Sequence, residues 1–233
     1  MNKGHEISRR GFLQMGMVAV WAIATDAAFS HPAFAQEESS EDKRWRDIEK
    51  SIDKLEQKFK LESQEYAVVI NPEKQELHLV KNRKIVKTYP VSTAKRGLGC
   101  QKDSEKTPYG THRVKEKFGD GAEAGTIFRQ TKNTGCVAEI FTEKIDICED
   151  NVTTRIMWLD GQEKGVNRGG RVDSHERAIY IHGTPEEGFI GEPASHGCVR
   201  MKNQDVIELY NLVTGGKLGT LVEIQNRDYQ RQE

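Results

Sequence analysis

No charge of one sign dominates this sequence. It carries 35 lysines and arginines against 36 aspartates and glutamates, a formal balance of −1 over 233 residues. That excludes the strong basic field of a nucleic-acid-binding surface. Past residue 35, no stretch approaches the roughly 18 apolar residues of a membrane span. There is no internal repeat and no low-complexity block, so repeat architectures do not apply. His112, His175, His182, His196 and Cys198 are of the residue types that could supply zinc ligands. The chain nevertheless lacks the H-x-H, HExxH and CxxC spacings that gather metal ligands. Cysteine is scarce, with 4 residues at positions 100, 136, 148 and 198.

The N-terminus does not read as fold. Ser8 to Gln14 spell S-R-R-x-F-L-Q. A moderately apolar run follows through Val18, Ala19, Val20, Trp21 and Ile23, and then Ala33, Phe34 and Ala35 form an A-x-A site. The three parts together resemble a twin-arginine export signal cleaved after Ala35. No cysteine lies near the cleavage site, so no lipoprotein anchor is expected. The resemblance implies a periplasmic or otherwise extracytoplasmic protein. Such a compartment permits disulfides. Cys136 and Cys148 flank an expected strand and are candidates for a bridge. Cys100, in a loop with Gly97 and Gly99, is a candidate partner for either. Free thiols without function are the other reading, and spacing alone does not choose between them.

Residues 36–65 form a short acidic linker and an amphipathic helix. Trp45, Ile48, Ile52, Leu55 and Phe59 recur at steps of three and four, which places them on one face. Residues 66–225 then read as many short strands and few helices, a mainly β domain. Strands are expected over 66–70, 76–80, 85–91, 112–118, 126–130, 137–141, 155–159, 178–182 and 220–225. A tight polar turn separates the second strand from the third. The stretch 203–214 puts Val206, Leu209, Tyr210 and Val213 on one helical face, ended by Gly215 and Gly216. Residues 226–233 are a polar tail.

The chemistry concentrates in residues 180–201, YIHGTPEEGFIGEPASHGCVRM. A hydrophobic strand ends in His182. A loop with two glycines and two prolines then leads to Ser195, His196, Gly197, Cys198 and Arg200. A thiol and an imidazole stand at the two ends of one loop. A thiolate is the attacking species and a neighbouring base generates it, so this pairing suits a cysteine nucleophile. Gly197 allows close backbone approach, and the Gly197 and Cys198 amides suit a developing oxyanion. No acidic residue is evidently placed to orient His182, so the carbonyls after it are the candidates for that role. Taken singly, a histidine at a strand end is ordinarily structural, and a lone cysteine is ordinarily a small buried hydrophobe.

The joint pattern H-G-T…S-H-G-C-x-R resembles the signature of the L,D-transpeptidase catalytic-domain family (YkuD). The likeness extends through INPEKQELHLVKNRKIVKTYPVST, TPYGTHRV and IMWLDG, from about residue 66 to 225. It implies a mixed β-sheet, sandwich or barrel-like, with an N-terminal helix and one helix after the catalytic cysteine. It implies Cys198 as nucleophile, His182 as base and acid, and the Gly183 carbonyl as its orienting group. His196 is placed in the catalytic site, Ser195 and Gly197 on its substrate and oxyanion side, and Arg200 facing substrate. Many members carry asparagine where Arg200 stands. Cys100, Cys136 and Cys148 lie outside the motif.

The implied partners are peptidoglycan stem peptides, with a stem amine or a lysine of a wall-anchored protein as acceptor. No metal or organic cofactor, no nucleic acid and no membrane span are implied. Carbapenems are expected to acylate Cys198. Hydrolysis of stem-peptide linkages by the same site, as an L,D-carboxypeptidase or amidase, is the alternative. A non-catalytic wall-binding protein is a third reading, against which the intact His182 and Cys198 stand. No separate wall-binding module is visible in the sequence.

Overall fold

The computed structural model describes residues 40–62, 64–147 and 150–230. The segment resembling an export signal lies outside the described residues, as does Cys148. Among the described residues, no helix is long and apolar enough to cross a membrane.

Helix α1 (Ser40–Phe59) carries the apolar stripe its spacing predicts. Ile48, Ile52 and Leu55 are buried, and they pack on Ala67, Val69, Val80 and Leu221. These four belong to strands β1 (Ala67–Asn71), β2 (Glu76–Lys81) and β10 (Leu221–Ile224). Val68 and Ile70, the alternate residues of β1, enter a second and larger core. Strand β1 is therefore covered on both faces, which is why its residues read as a nearly continuous apolar run.

The remaining strands are β3 (Lys84–Ser92), β4 (Gly110–Phe118), β5 (Thr126–Arg129), β6 (Lys132–Val137), β7 (Val152–Gly161), β8 (Tyr180–Gly183) and β9 (Val199–Met201). They join one sheet in the order β4-β10-β1-β2-β3-β9-β8-β7-β5-β6. Strand β4 also pairs with β7, so the sheet closes on itself. Closure removes the open edges that a twisted sheet otherwise exposes. The β5–β6 hairpin hangs from β7 outside the closed ring. Helix α2 (Asn203–Leu212) contributes Val206, Leu209 and Tyr210 to the main core, beside Ile181, Val199 and Met201. The fold is mainly β and barrel-like, with few helices, as the sequence implies.

Two expectations are corrected. The strand expected at 137–141 is instead β6, which ends at Val137, and Phe141 makes only an isolated bridge to Glu186. Gln130 and Thr131 both have positive φ, 48° and 65°, the signature of a two-residue hairpin turn. The return strand must begin directly after that turn, in the polar residues Lys132 to Thr134. All of β6 is exposed, so no apolar alternation marked it. The expected polar tail contains a short helix, α3 (Arg227–Gln230). Asn82 and Arg83, at φ 52° and 56°, make the predicted tight turn between β2 and β3.

Candidate active site

Strands β8 and β9 run parallel, with Ile181 opposite Val199 and His182 opposite Arg200. Side chains alternate along a strand. Ile181, Val199 and Met201 point into the core, so His182 and Arg200 share the other face. Cys198 immediately precedes β9, and its sulfur is held at the start of β8 by the Tyr180 amide. The loop ends that the sequence singles out are thus neighbours because their strands pair.

His182 is 1% exposed. Its Nδ1 donates to the Gly183 carbonyl oxygen at 2.7 Å. A carbonyl only accepts, so the proton sits on Nδ1, and the neutral ring keeps its lone pair on Nε2. Burial lowers the His182 pKa below the usual histidine value. The Asp150 carboxylate and the Gly183 bond oppose that shift, and Arg200 adds to it.

Cys198 is half-buried and free. Its sulfur accepts from the Tyr180 amide at 3.4 Å and faces the Ala178 carbonyl at 3.5 Å. Burial pushes the thiol up to about 12. The Tyr180 amide, Arg200 and Arg177 pull it down, whereas Asp150 pushes it further up. Both shifts favour the uncharged form of the group concerned.

Gly197 sits at φ 136°, a conformation that glycine alone adopts without strain. A Cβ there would meet nothing closer than 3.5 Å, so the backbone angle demands glycine and the available space does not. The Gly197 amide donates to Ser195 Oγ at 3.2 Å, and that hydroxyl donates to the Cys198 carbonyl at 2.6 Å. Ser195 is a brace inside the turn. It occupies one of the two amides considered for an oxyanion. Among the described residues the Cys198 amide carries no hydrogen bond.

Arg200 does not lie open to a ligand. Its side chain is 2% exposed and is gripped by Glu186 at 2.8 Å and Asp150 at 2.6 Å. Its buried Nε has no partner. Asp150 also accepts from His196 Nδ1 at 2.9 Å, and the His196 side chain is 63% exposed. Arg200, with His196 and Lys95, contacts a cavity of ≈ 400 Å³.

Asp150 is the carboxylate that sequence reasoning missed. Burial opposes its ionisation, but Arg200, His182 and His196 outweigh that and hold it below the usual carboxylate value. It lies in a polar stretch with no periodic signal. Arg177 was missed as well. It donates to the carbonyls of Gly99 (3.2 Å), Cys100 (2.9 Å) and Lys106 (2.7 Å), and so ties the Gly-rich loop to the segment before β8. Cys100 is buried and Cys136 exposed, and both are free thiols. His112 and His175 lie apart from this group. His112 bonds Ser174, and His175 stacks on Trp158 at 4.2 Å.

Fold and site together define a class: a closed, mainly β barrel with a backbone-oriented histidine on one of two paired parallel strands and a cysteine directly before the other. A sequence model of the L,D-transpeptidase catalytic domain (YkuD) matches residues 65–224, and the chain belongs to that family. Two Bacillus proteins, each described as a putative L,D-transpeptidase YkuD, are similar over shorter stretches. The one from Bacillus subtilis is 49% identical over 41 residues, 18% of this chain and 25% of that protein. The one from Bacillus licheniformis is 50% identical over 36 residues, 16% of this chain and 22% of that protein. The matched stretches thus span about a quarter of those relatives. Among solved structures, an L,D-transpeptidase from Mycobacterium smegmatis has 16% identity and a TM-score of 0.40, covering 70% of this chain and 59% of that one. One from Xylanimonas cellulosilytica has 20% identity and a TM-score of 0.38, covering 70% and 62%.

Proposed function

We propose that this protein is an exported L,D-transpeptidase that acts on peptidoglycan tetrapeptide stems through a thioester on Cys198. One observation carries the reading. The Gly183 carbonyl holds the His182 Nδ1 proton at 2.7 Å, which leaves Nε2 as the basic nitrogen, on the strand whose first amide holds the Cys198 sulfur. The backbone carbonyl takes the orienting role that a carboxylate plays in other triads.

In this mechanism His182 Nε2 takes the Cys198 proton as the sulfur attacks the carbonyl carbon of the third stem residue, a diamino acid. The Cys198 amide donates to the developing oxyanion. The bond to D-alanine breaks, and His182 returns the proton to the leaving amine. A thioester remains. The side-chain amine of another stem then attacks it, giving His182 its proton, and the thiol is restored with a 3→3 cross-link formed. A lysine amine of a wall-anchored protein is the second acceptor of the same chemistry. His196 stands at the exposed side of the site. Ser195 and Gly197 shape it through the hydrogen bonds they make within the turn, and Arg200 through its ion pairs with Glu186 and Asp150. The signal-like N-terminus supports an extracytoplasmic site of action by the twin-arginine route.

The test is incubation with a purified disaccharide-tetrapeptide. Release of D-alanine and a covalent adduct on Cys198 are expected. A Cys198→Ala variant that still does both overturns the mechanism. Cross-linked dimers as products identify a transpeptidase, whereas tripeptides alone identify an L,D-carboxypeptidase.

A further inference from the structure

Asn203, the first residue of α2, is 3% exposed and uses its whole side-chain amide. Its Nδ2 donates to the Thr184 carbonyl at 2.8 Å and to Glu187 Oε1 at 2.8 Å. Its Oδ1 accepts from the Thr153 hydroxyl at 2.7 Å and also from the Thr154 hydroxyl. Two donors and two lone pairs are satisfied, and the carbonyl at Thr184 fixes which way the amide points.

The convergence of two consecutive threonines is unusual. Along a regular strand, neighbouring side chains point to opposite faces. Here the pairing of β7 with β8 shifts register between Thr153 and Ile156. Thr154 sits at φ 69°, a conformation disfavoured for a β-branched residue. The bulge swings the Thr154 hydroxyl onto the same Asn203 oxygen, where it also accepts from the Gly125 amide at 2.8 Å. Bulges of this kind re-aim side chains beside active sites, and strain persists where the surroundings over-determine it.

What this cluster surrounds is the segment that orients His182. Gly183 pairs with Thr153 on one side and Met201 on the other. A Cβ on Gly183 would come within 2.6 Å of Asn203 Oδ1 and 2.9 Å of the Thr153 carbonyl. The Gly183 peptide is thus pressed against Asn203, and the next carbonyl, of Thr184, is hydrogen-bonded to it. We propose that Asn203, held by the Thr153 and Thr154 hydroxyls, is a positioning residue that fixes the Gly183 carbonyl and through it the tautomer and aim of the His182 ring. The inference rests on the proposed role of His182 as base. The competing role is structural, because Glu187 and Asn203 also satisfy the first turn of α2.

The experiment uses the full chain and three variants. Asn203→Asp keeps the shape but sets an oxygen against the Thr184 carbonyl and Glu187. Thr154→Val removes one hydroxyl and keeps the branch. Thr154→Ser restores the hydroxyl. The His182 ring nitrogens are followed by 15N NMR, Cys198 alkylation is followed against pH, and D-alanine release is followed for kcat and KM. For Asn203→Asp and Thr154→Val we expect the Nδ1–H signature to be lost or mixed. The alkylation profile should shift, and kcat should fall about 10- to 100-fold with little change in KM. Thr154→Ser should behave as the parent. Folded variants with an unchanged tautomer and unchanged kcat overturn the proposal, as does a loss of kcat that follows the unfolded fraction alone. If Asn203→Asp does not fold, the Thr154→Val and Thr154→Ser pair decides. The tautomer and alkylation readings need no stem peptide. A parent protein that releases no D-alanine would therefore sink the proposed function and leave this inference to be judged by its own signals.

Discussion

Arg200 Nη2 and Asp150 Oδ1 meet at 2.6 Å, while Nη1 of the same guanidinium holds Glu186 at 2.8 Å. The Arg200 side chain is 2% exposed and that of Glu186 7%, so this is a buried pair. Removing one partner of such a pair leaves an uncompensated charge and costs about 3–5 kcal/mol. An Arg200→Met variant should lose that amount in urea unfolding, chiefly through Glu186. A loss below about 1 kcal/mol, the range of surface ion pairs, would show that the cluster does not hold the rim together.

Asp150 sets the two reacting groups in the same direction. It holds His182 up against burial, and it pushes Cys198 up along with burial. Asp150→Asn should therefore lower both values. The acid limb of the kcat/KM profile should move to lower pH, because neutral imidazole persists further down. Thiol alkylation should begin at lower pH, because thiolate appears sooner. Arg200, freed of one carboxylate, pulls both groups the same way. Movement of either limb to higher pH would contradict this electrostatic account.

Glu223 lies in a second buried cluster, beneath α1. Lys54 Nζ reaches it at 3.2 Å and Glu163 at 2.9 Å, and the Thr111 hydroxyl donates to it at 2.5 Å. Burial pushes the Glu223 carboxyl up to about 7, with Lys54 and Thr111 opposing and Glu163 assisting. Its folded value is thus above the unfolded value of about 4.3. The stabilisation from the bound proton is complete below that unfolded value and is lost as pH rises through the folded one. Wild-type stability should fall by roughly 1 kcal/mol per pH unit over much of that window relative to Glu223→Gln. Urea unfolding from pH 5 to 8 reads the difference. Parallel curves for the two proteins would refute it.

Helix α1 should be part of the folding unit and not a loose spacer. Ile52 is 1% exposed and packs with Ile48 and Leu55 on β1, β2 and β10. Ile52→Ala should cost about 2–5 kcal/mol in one cooperative transition. A near-zero change, or a separate early transition, would mark the helix as an appendage.

Legibility followed the kind of signal each feature carries. The α1 stripe was readable because helical periodicity is local. His182 and Cys198 were readable because one loop separates them and their residue types are rare in that combination. Strand β6 was misread because it hangs outside the closed ring, and exposed strands carry no apolar alternation. Asp150, Arg177 and Asn203 went unseen. Their partners lie far along the chain, on β9, in the loop before β4, and on β7. Arg200 was recognised, but its pairing was not, since nothing local distinguishes a buried guanidinium from one open to substrate.

The sequence by itself determined a mainly β domain, the helix against it, and a thiol and an imidazole at the ends of the 180–201 stretch. Those follow from side-chain periodicity and from chemistry carried by individual residues. The tertiary structure alone decided that β8 and β9 lie parallel and adjacent and that β4 closes the barrel on β7. It also decided that a carboxylate from before β7 sits between His196 and Arg200, and that two threonines on a strained bulge meet Asn203 under Gly183. Coulomb energies and hydrogen bonds depend on distance through space. Only the closed sheet brings those groups within reach, and so only the fold assigns the surroundings that tune His182 and Cys198.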